Sequence, residues 1–257
     1  MKPIYIIGSN KGGVGKSLLT MAILDYFSKN EQSCFLVETE SRLMDVHRSY
    51  RHLPFAVLDL SSESGASGLI DLGFGHPNEI IIVNATAVSI EGIEKYSQHL
   101  ITELSALDRP LITLWVIDRL TSSLDSLSAY IKVMGGSTVH VAINNYFGDE
   151  NYFHAYQNSS LKVSIEAQGK SLVFPTLNSY ICDKFFNNSS TIEDAATGML
   201  LGYRSLLNGW RKKCHAIFDS IAFVNSSQHV RSRQEILATG ISISRLQAVD
   251  AIEFPNS

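Results

Sequence analysis

The chain has 257 residues, 45% of them hydrophobic and 18% charged, with a formal net charge of −4. These values exclude a disordered tail protein and a globally basic nucleic-acid binder, and they suit one α/β domain with a sizeable core. Mean hydropathy is +0.06, and no apolar run reaches the ~18–20 residues a membrane helix needs. Cys34, Cys182 and Cys214 are far apart and make no C-x-x-C, which argues against a disulfide scaffold or an iron–sulfur site. The N-terminus carries one lysine and runs straight into a short strand, so no signal peptide and a cytoplasmic location are expected.

The first apolar run, 3–8, is read as a strand. Residues 10–17 follow as N-K-G-G-V-G-K-S, and 16–29 carry an apolar helical pattern. Strand, glycine-rich turn, Lys-Ser and helix in this order describe a phosphate-binding loop. Gly12, Gly13 and Gly15 let backbone N–H groups close on an anion, with Val14 and Leu18 completing the cradle. The helix start adds unpaired N–H groups and the positive end of its dipole. Lys16 can reach the β- and γ-phosphates, and the Ser17 hydroxyl can ligate Mg²⁺, so ATP or ADP with Mg²⁺ is the expected ligand. Lys11 is a second lysine that ordinary phosphate loops do not require.

Further strands are expected at 34–38, 54–60, 79–84, 111–117 and 138–144, each short, apolar and β-branched. Helices are expected at 40–50, 66–72, 89–106, 120–134, 149–158 and 191–221. The alternation implies a three-layer α/β sandwich with a mostly parallel central sheet. Ligands in such sheets sit at the carboxyl ends of strands, here the loops after 8, 38, 84, 117 and 144. The nucleotide-binding domain is expected over 1–225. Residues 226–257 read as a C-terminal tail, polar at first, with a short helical pattern at 231–248.

K-G-G-V-G-K-S resembles the deviant Walker A motif of the ParA/MinD-type ATPases, P-loop NTPases in which the first motif position, here Asn10, is often not glycine. The resemblance implies that Lys11 is the signature lysine, reaching across a homodimer to the partner's nucleotide. A mobile cation beside the γ-phosphate stabilises transition-state charge only when two subunits close. The second strand ends in Glu38-Thr39-Glu40, where the family has Asp-x-Asp. By that carry-over Glu38 stands near the metal and Glu40 near the attacking water, each one methylene longer than in the family.

A phosphate-loop ATPase usually has an acid at the end of a second core strand, and two segments compete for that place. Phe55–Asp59 ends in an aspartate. Glu79–Ala87 is the stronger strand and resembles the D-V-I-I-D-N-G-A-S stretch of the conjugal-transfer protein TraL, with Val83 in place of the acid and Asn84 retained. At the end of 138–144, Asn144 matches the family asparagine that hydrogen-bonds adenine, with Asn145 as the alternative. A carboxamide offers the donor and acceptor that N6 and N7 of adenine require. Residues 115–119, the following helix and the N-N-Y-F-G-D stretch resemble TraL and the plasmid-stability protein StbB.

This subgroup implies an ATP-dependent dimerising switch with slow hydrolysis in plasmid stability or conjugative transfer, acting with a plasmid-encoded protein partner. A nucleotide-binding adaptor without useful hydrolysis is the alternative, and a small-molecule ligase or kinase of the same fold is a third. In 203–221, Leu207, Trp210, Cys214, Ile217 and Ile221 recur at helical spacing beside Arg211, Lys212, Lys213 and His215. That basic group reads as a solvated face or as a local contact for DNA or a partner. Membrane attachment is not expected.

Overall fold

A computed structural model describes residues 1–42 and 44–221. The first half runs β1 (Ile4–Gly8), α1 (Lys16–Lys29), β2 (Cys34–Glu38), α2 (Asp45–Ser49), β3 (Phe55–Val57), α3 (Glu63–Gly75), β4 (Ile80–Asn84), α4 (Ala87–Lys95) and α5 (Ser97–Ala106). The second half runs β5 (Leu111–Ile117), α6 (Thr121–Val133), β6 (Thr138–Asn144), α7 (His154–Gln157), α8 (Ser160–Glu166), β7 (Ser171–Phe174), α9 (Ser179–Asn188), α10 (Ile192–Gly198) and α11 (Leu201–Asp219). The described strands form one seven-stranded sheet in the order β3-β2-β4-β1-β5-β6-β7, and every pairing is parallel. Helices cover both faces, so the three-layer α/β sandwich expected from the sequence is the fold.

Strand residues divide between two cores by their period of two. Tyr5, Ile7, Ile80 and Ile82 pack on the side of α1, α9, α10 and α11. Ile4, Ile6, Ile81 and Val83 pack on the side of α3 to α8. Both faces of the central strands are buried, which is why these strands read as continuous Ile/Val runs without polar alternation.

Several expected elements are subdivided. The helix expected over 89–106 breaks at Tyr96 into α4 and α5, and that over 191–221 breaks at Met199 and Leu200 into α10 and α11. Met199 is extended, with φ −89° and ψ 151°. The expected 40–50 helix shortens to α2, and 149–158 holds a 3₁₀ turn and the four-residue α7. Residues 160–188, left unassigned by the sequence patterns, form α8, β7 and α9. The tail 226–257, with its helical pattern at 231–248, lies outside the described residues.

Candidate functional site

β1 delivers the chain at Gly8 into a loop that ends at Gly15, the residue before α1. Gly13 and Gly15 adopt φ of +70° and +102°, a left-handed conformation that side chains disfavour. A Cβ on Gly15 would also lie 2.6 Å from Asn144 Nδ2. That contact reflects a staple: Asn144 Nδ2 donates to Val14 O at 2.6 Å, and its Oδ1 accepts the Tyr146 N–H at 3.0 Å. Asn144 therefore binds the loop to the end of β6, a contact that its reading as a base contact did not anticipate.

Lys16 curls back, donating from Nζ to Lys11 O. Burial holds its ammonium below the usual lysine range. Gly13, Gly15, Lys16, Ser17 and Leu18 form one wall of a cavity of about 480 Å³, a size suited to a nucleotide. Gly12 is exposed beside it, and Val14 is buried beneath. Pro175, Thr176, Cys182, Asp183 and Phe186, from β7's exit and α9, form the facing wall. Sequence reasoning missed this wall. The available signals were Pro175 closing the apolar run 171–174 and Asn178, whose side chain accepts the N–H groups of Tyr180 and Ile181 to start α9. Trp210 of α11 fixes the exit by donating from Nε1 to Pro175 O at 2.9 Å.

Lys11 is paired within its own chain. Its Nζ lies 3.0 Å from Asp118 Oδ2 at the exit of β5. Asp118 Oδ1 in turn accepts the Leu120 N–H at 2.9 Å and the Ser123 hydroxyl at 2.6 Å. Burial pushes the Asp118 carboxyl upward, but Ser123, the Leu120 N–H and Lys11 outweigh it and hold it below the usual carboxylate range.

The strand ends beside the loop divide by face. β4 lies next to β1, and Asn84 turns toward α1, its Oδ1 accepting from the Thr20 hydroxyl at 3.2 Å. Val83 points into the opposite core and is fully buried there. Asp59 follows β3, three strands away from β1 at the sheet edge, and holds the Ser61 N–H and hydroxyl. The neutral Asn84 thus occupies the strand-end position facing the loop's helix, and Asp59 does not. Glu38, at the end of β2, is 1% exposed and accepts from Asn84 Nδ2 at 2.9 Å and from the His47 N–H at 3.0 Å. Burial raises its pKa, against the pull of Asn84 and the His47 and Val46 N–H groups. Glu40, two residues on, is half-buried.

Among the described residues no group of three or more His, Cys, Asp and Glu could cage a metal ion. The donors present are hydroxyl and carboxylate oxygens, few in number, beside a phosphate-sized cradle. That set fits Mg²⁺, which takes one or two protein oxygens and completes its shell with phosphate and water.

The basic group on α11 divides between inward-facing and exposed members. Arg211 turns inward: Nη2 and Nε donate to Asp25 of α1 at 2.8 and 3.0 Å, and Nη2 also reaches Glu193. His215 Nε2 lies 2.9 Å from the same Asp25. These pairings engage Arg211 within the chain, and Lys212 and Lys213 remain exposed. Leu207, Trp210, Cys214 and Phe218 face the core. No helix of the described residues is long and apolar enough to cross a membrane.

No protein-family model matches the chain. Among solved structures, the MinC:MinD cell division protein complex of Aquifex aeolicus aligns at a TM-score of 0.49 and 16% identity, covering 82% of this chain and 94% of that one. MinD of the same organism aligns at 0.48 and 17%, covering 82% and 95%. Chloroplast FtsY from Physcomitrella patens aligns at 0.46 and 10%, covering 66% and 57%. Protein MobD of Acidithiobacillus ferrooxidans is 33% identical over 222 residues, covering 86% of this chain and 98% of that protein. With that identity over nearly the full length of MobD, the chain belongs to the MobD family.

Proposed function

We propose that the chain is a nucleotide-binding switch that takes ATP with Mg²⁺ at the loop of residues 10–17 and closes into a homodimer over it. One observation carries the reading. The left-handed glycines, the half-buried Lys16 and the Ser17 hydroxyl form one wall of a nucleotide-sized cavity at the start of α1. Gly12, Gly13, Val14 and Gly15 present backbone N–H groups, and Lys16 leaves Lys11 O to meet the β- and γ-phosphates. Mg²⁺, when bound, screens the phosphate oxygens, with Ser17 as its direct protein ligand. Asn144 holds the loop in shape and keeps one Nδ2 hydrogen for the base. Lys11 exchanges Asp118 for the partner subunit's nucleotide on closure. ATP drives this change only to the extent that it binds the closed state better than the open one, and release follows because ADP favours the closed state less.

A second reading, a binding adaptor with negligible hydrolysis, is favoured by the neutral Asn84 at the strand end. Glu40 is the residue to orient water if hydrolysis occurs. The TraL- and StbB-like stretches point the switch toward plasmid stability or conjugative transfer, with a protein partner encoded alongside. Titration of ATP onto wild type and Lys16→Ala tests the binding claim, and an unchanged affinity in the variant overturns it. Steady-state phosphate release by wild type and Glu40→Ala separates the two readings. Turnover that needs Glu40 excludes the adaptor.

A further inference from the structure

β3 is an edge strand without the usual guard of one. It stands first in the sheet order, and β2 pairs with one of its sides. Pro54 O accepts the Leu36 N–H, and the Leu58 N–H donates to Glu38 O, both at 3.0 Å. By the alternation of a strand, the N–H and C=O groups of Phe55 and Val57 between them point away from β2. Edge strands are commonly protected by a charged side chain that deters further pairing. β3 consists of Phe55, Ala56 and Val57, and none of them is charged.

The side chains beside this edge are apolar and basic. Phe55 and Val57 are 43% and 41% exposed. Two apart on a strand, they share one face of the sheet, while Ala56 and Leu58 pack into the core on the other. His47 of α2 stacks on Phe55 with ring centroids 3.6 Å apart, so α2 borders the same side of the edge. His47 Nδ1 is buried and has no hydrogen-bond partner among the described residues. The stretch His47–His52 holds two arginines and two histidines and no acid, on a chain of net charge −4. Arg48, Arg51 and His52 are exposed. Asp45 approaches Arg48 at 3.7 Å, an exposed pairing that leaves the arginine open to a stronger partner.

We propose that the open edge of β3, with Phe55, Val57 and the arginines of α2 and its exit, docks an extended acidic segment of a partner protein as an added strand. The proposal rests on the protein-partner part of the function above and gives that partner a site and a chemistry. The segment's backbone pairs with the outward groups of Phe55 and Val57. Its alternate apolar side chains lie beside those two residues, and its carboxylates meet Arg48 and Arg51. A second copy of this chain fits less well, because pairing β3 with itself brings like charges together. Nucleic acid would meet the arginines, but it cannot pair with the strand edge or cover the apolar row.

The test uses fluorescence anisotropy of a labelled peptide with a Val-Thr-Val-Thr-Val centre and two glutamates at each end, titrated with the full chain. Wild type should bind it, and added salt should weaken the binding. Exchanging the glutamates for lysines, or the threonines for prolines, should abolish it. Arg48→Glu/Arg51→Glu should lower the affinity about tenfold or more. Val57→Pro removes an outward N–H at an edge position that tolerates proline, and should lower it up to about tenfold with the melting temperature kept. No binding by wild type overturns the proposal, and so does equal binding by the arginine variant. Tighter binding of a labelled DNA duplex than of the peptide overturns it in favour of nucleic acid. A dimer that forms without ATP and is lost in Val57→Pro overturns it in favour of a second copy. Pull-down with the proteins encoded beside this gene separates the site from the partner reading. A protein that binds wild type and both variants alike overturns the site alone, and binding by none of them overturns the partner reading.

Discussion

Lys11 Nζ and Asp118 Oδ2 stand 3.0 Å apart across 107 residues of sequence, and this pair holds the loop's extra lysine on its own subunit. An ion pair of this partly exposed kind contributes at most about 1 kcal/mol, or roughly fivefold in an equilibrium. Asp118→Asn should therefore strengthen ATP-dependent dimerisation about two- to fivefold. Lys11→Ala should bind ATP yet stay monomeric. Sedimentation velocity across a concentration series reads both, and an unaltered dimer in Lys11→Ala would remove the lysine from the interface.

The same pair has a defined pH dependence. The folded Asp118 carboxyl titrates below the ordinary carboxylate range, so its contribution to stability is complete above that range and is lost as pH falls through the folded value. The melting-temperature gap between wild type and Asp118→Asn should be constant through neutral pH. It should shrink only in the acid range and close once Asp118 is protonated. A gap that instead grows toward acid would contradict the assignment.

Asn144 should prove structural before it proves selective. Asn144→Ala leaves Val14 O and the Tyr146 N–H without their partner, at a cost of about 1–3 kcal/mol. Urea denaturation measures that loss. ATP and GTP affinities should fall together, because the loop itself is loosened. A selective loss of ATP alone would show that the contact of Asn144 with the base outweighs its hold on the loop.

Gly15→Ala should be more damaging to binding than its small size suggests. The added methyl meets Asn144 Nδ2, and φ of +102° strains any side chain by about 1–3 kcal/mol. Nucleotide titration should find no measurable binding, with the fold retained by circular dichroism.

Asp25 anchors α11 to α1. Asp25→Ala leaves Arg211 and His215 without their shared carboxylate and should cost about 3–5 kcal/mol in urea denaturation. Alanine at the exposed Lys212 or Lys213 should stay within about 0.5 kcal/mol of wild type.

The loop and six of the strands were legible because their signals are local. Residues 10–17 need only neighbouring glycines and lysines, and Ile4–Ile7 or Ile80–Val83 need only an unbroken apolar run. β7 escaped because Ser171–Phe174 is four residues with one exposed valine, too short for a period to register. The breaks at Tyr96 and Met199 carry no proline, and apolar spacing continues across both. The choice between Asp59 and the Val83-Asn84 strand end depended on which strand lies beside β1 and which face of β4 meets α1, properties of strand pairing rather than of either strand. The partners of Lys11, Arg211 and Glu38 lie 107, 186 and 46 residues away, so their pairings exist only once the sheet is assembled.

β1 is the central strand of the sheet, flanked by β4 and β5, yet it is made before both of them. Ile4 must wait for both Ile81 and Leu111 before its two edges are filled. At synthesis rates of about 5–20 residues per second, roughly 5–20 s separate the emergence of the phosphate loop from that of the strand that completes its support. During that interval the apolar edge of β1 is open to other chains, and the loop has no rigid base on which to hold its shape. A nascent chain of this topology therefore acquires its ligand site late, about a hundred residues after the motif itself has been made.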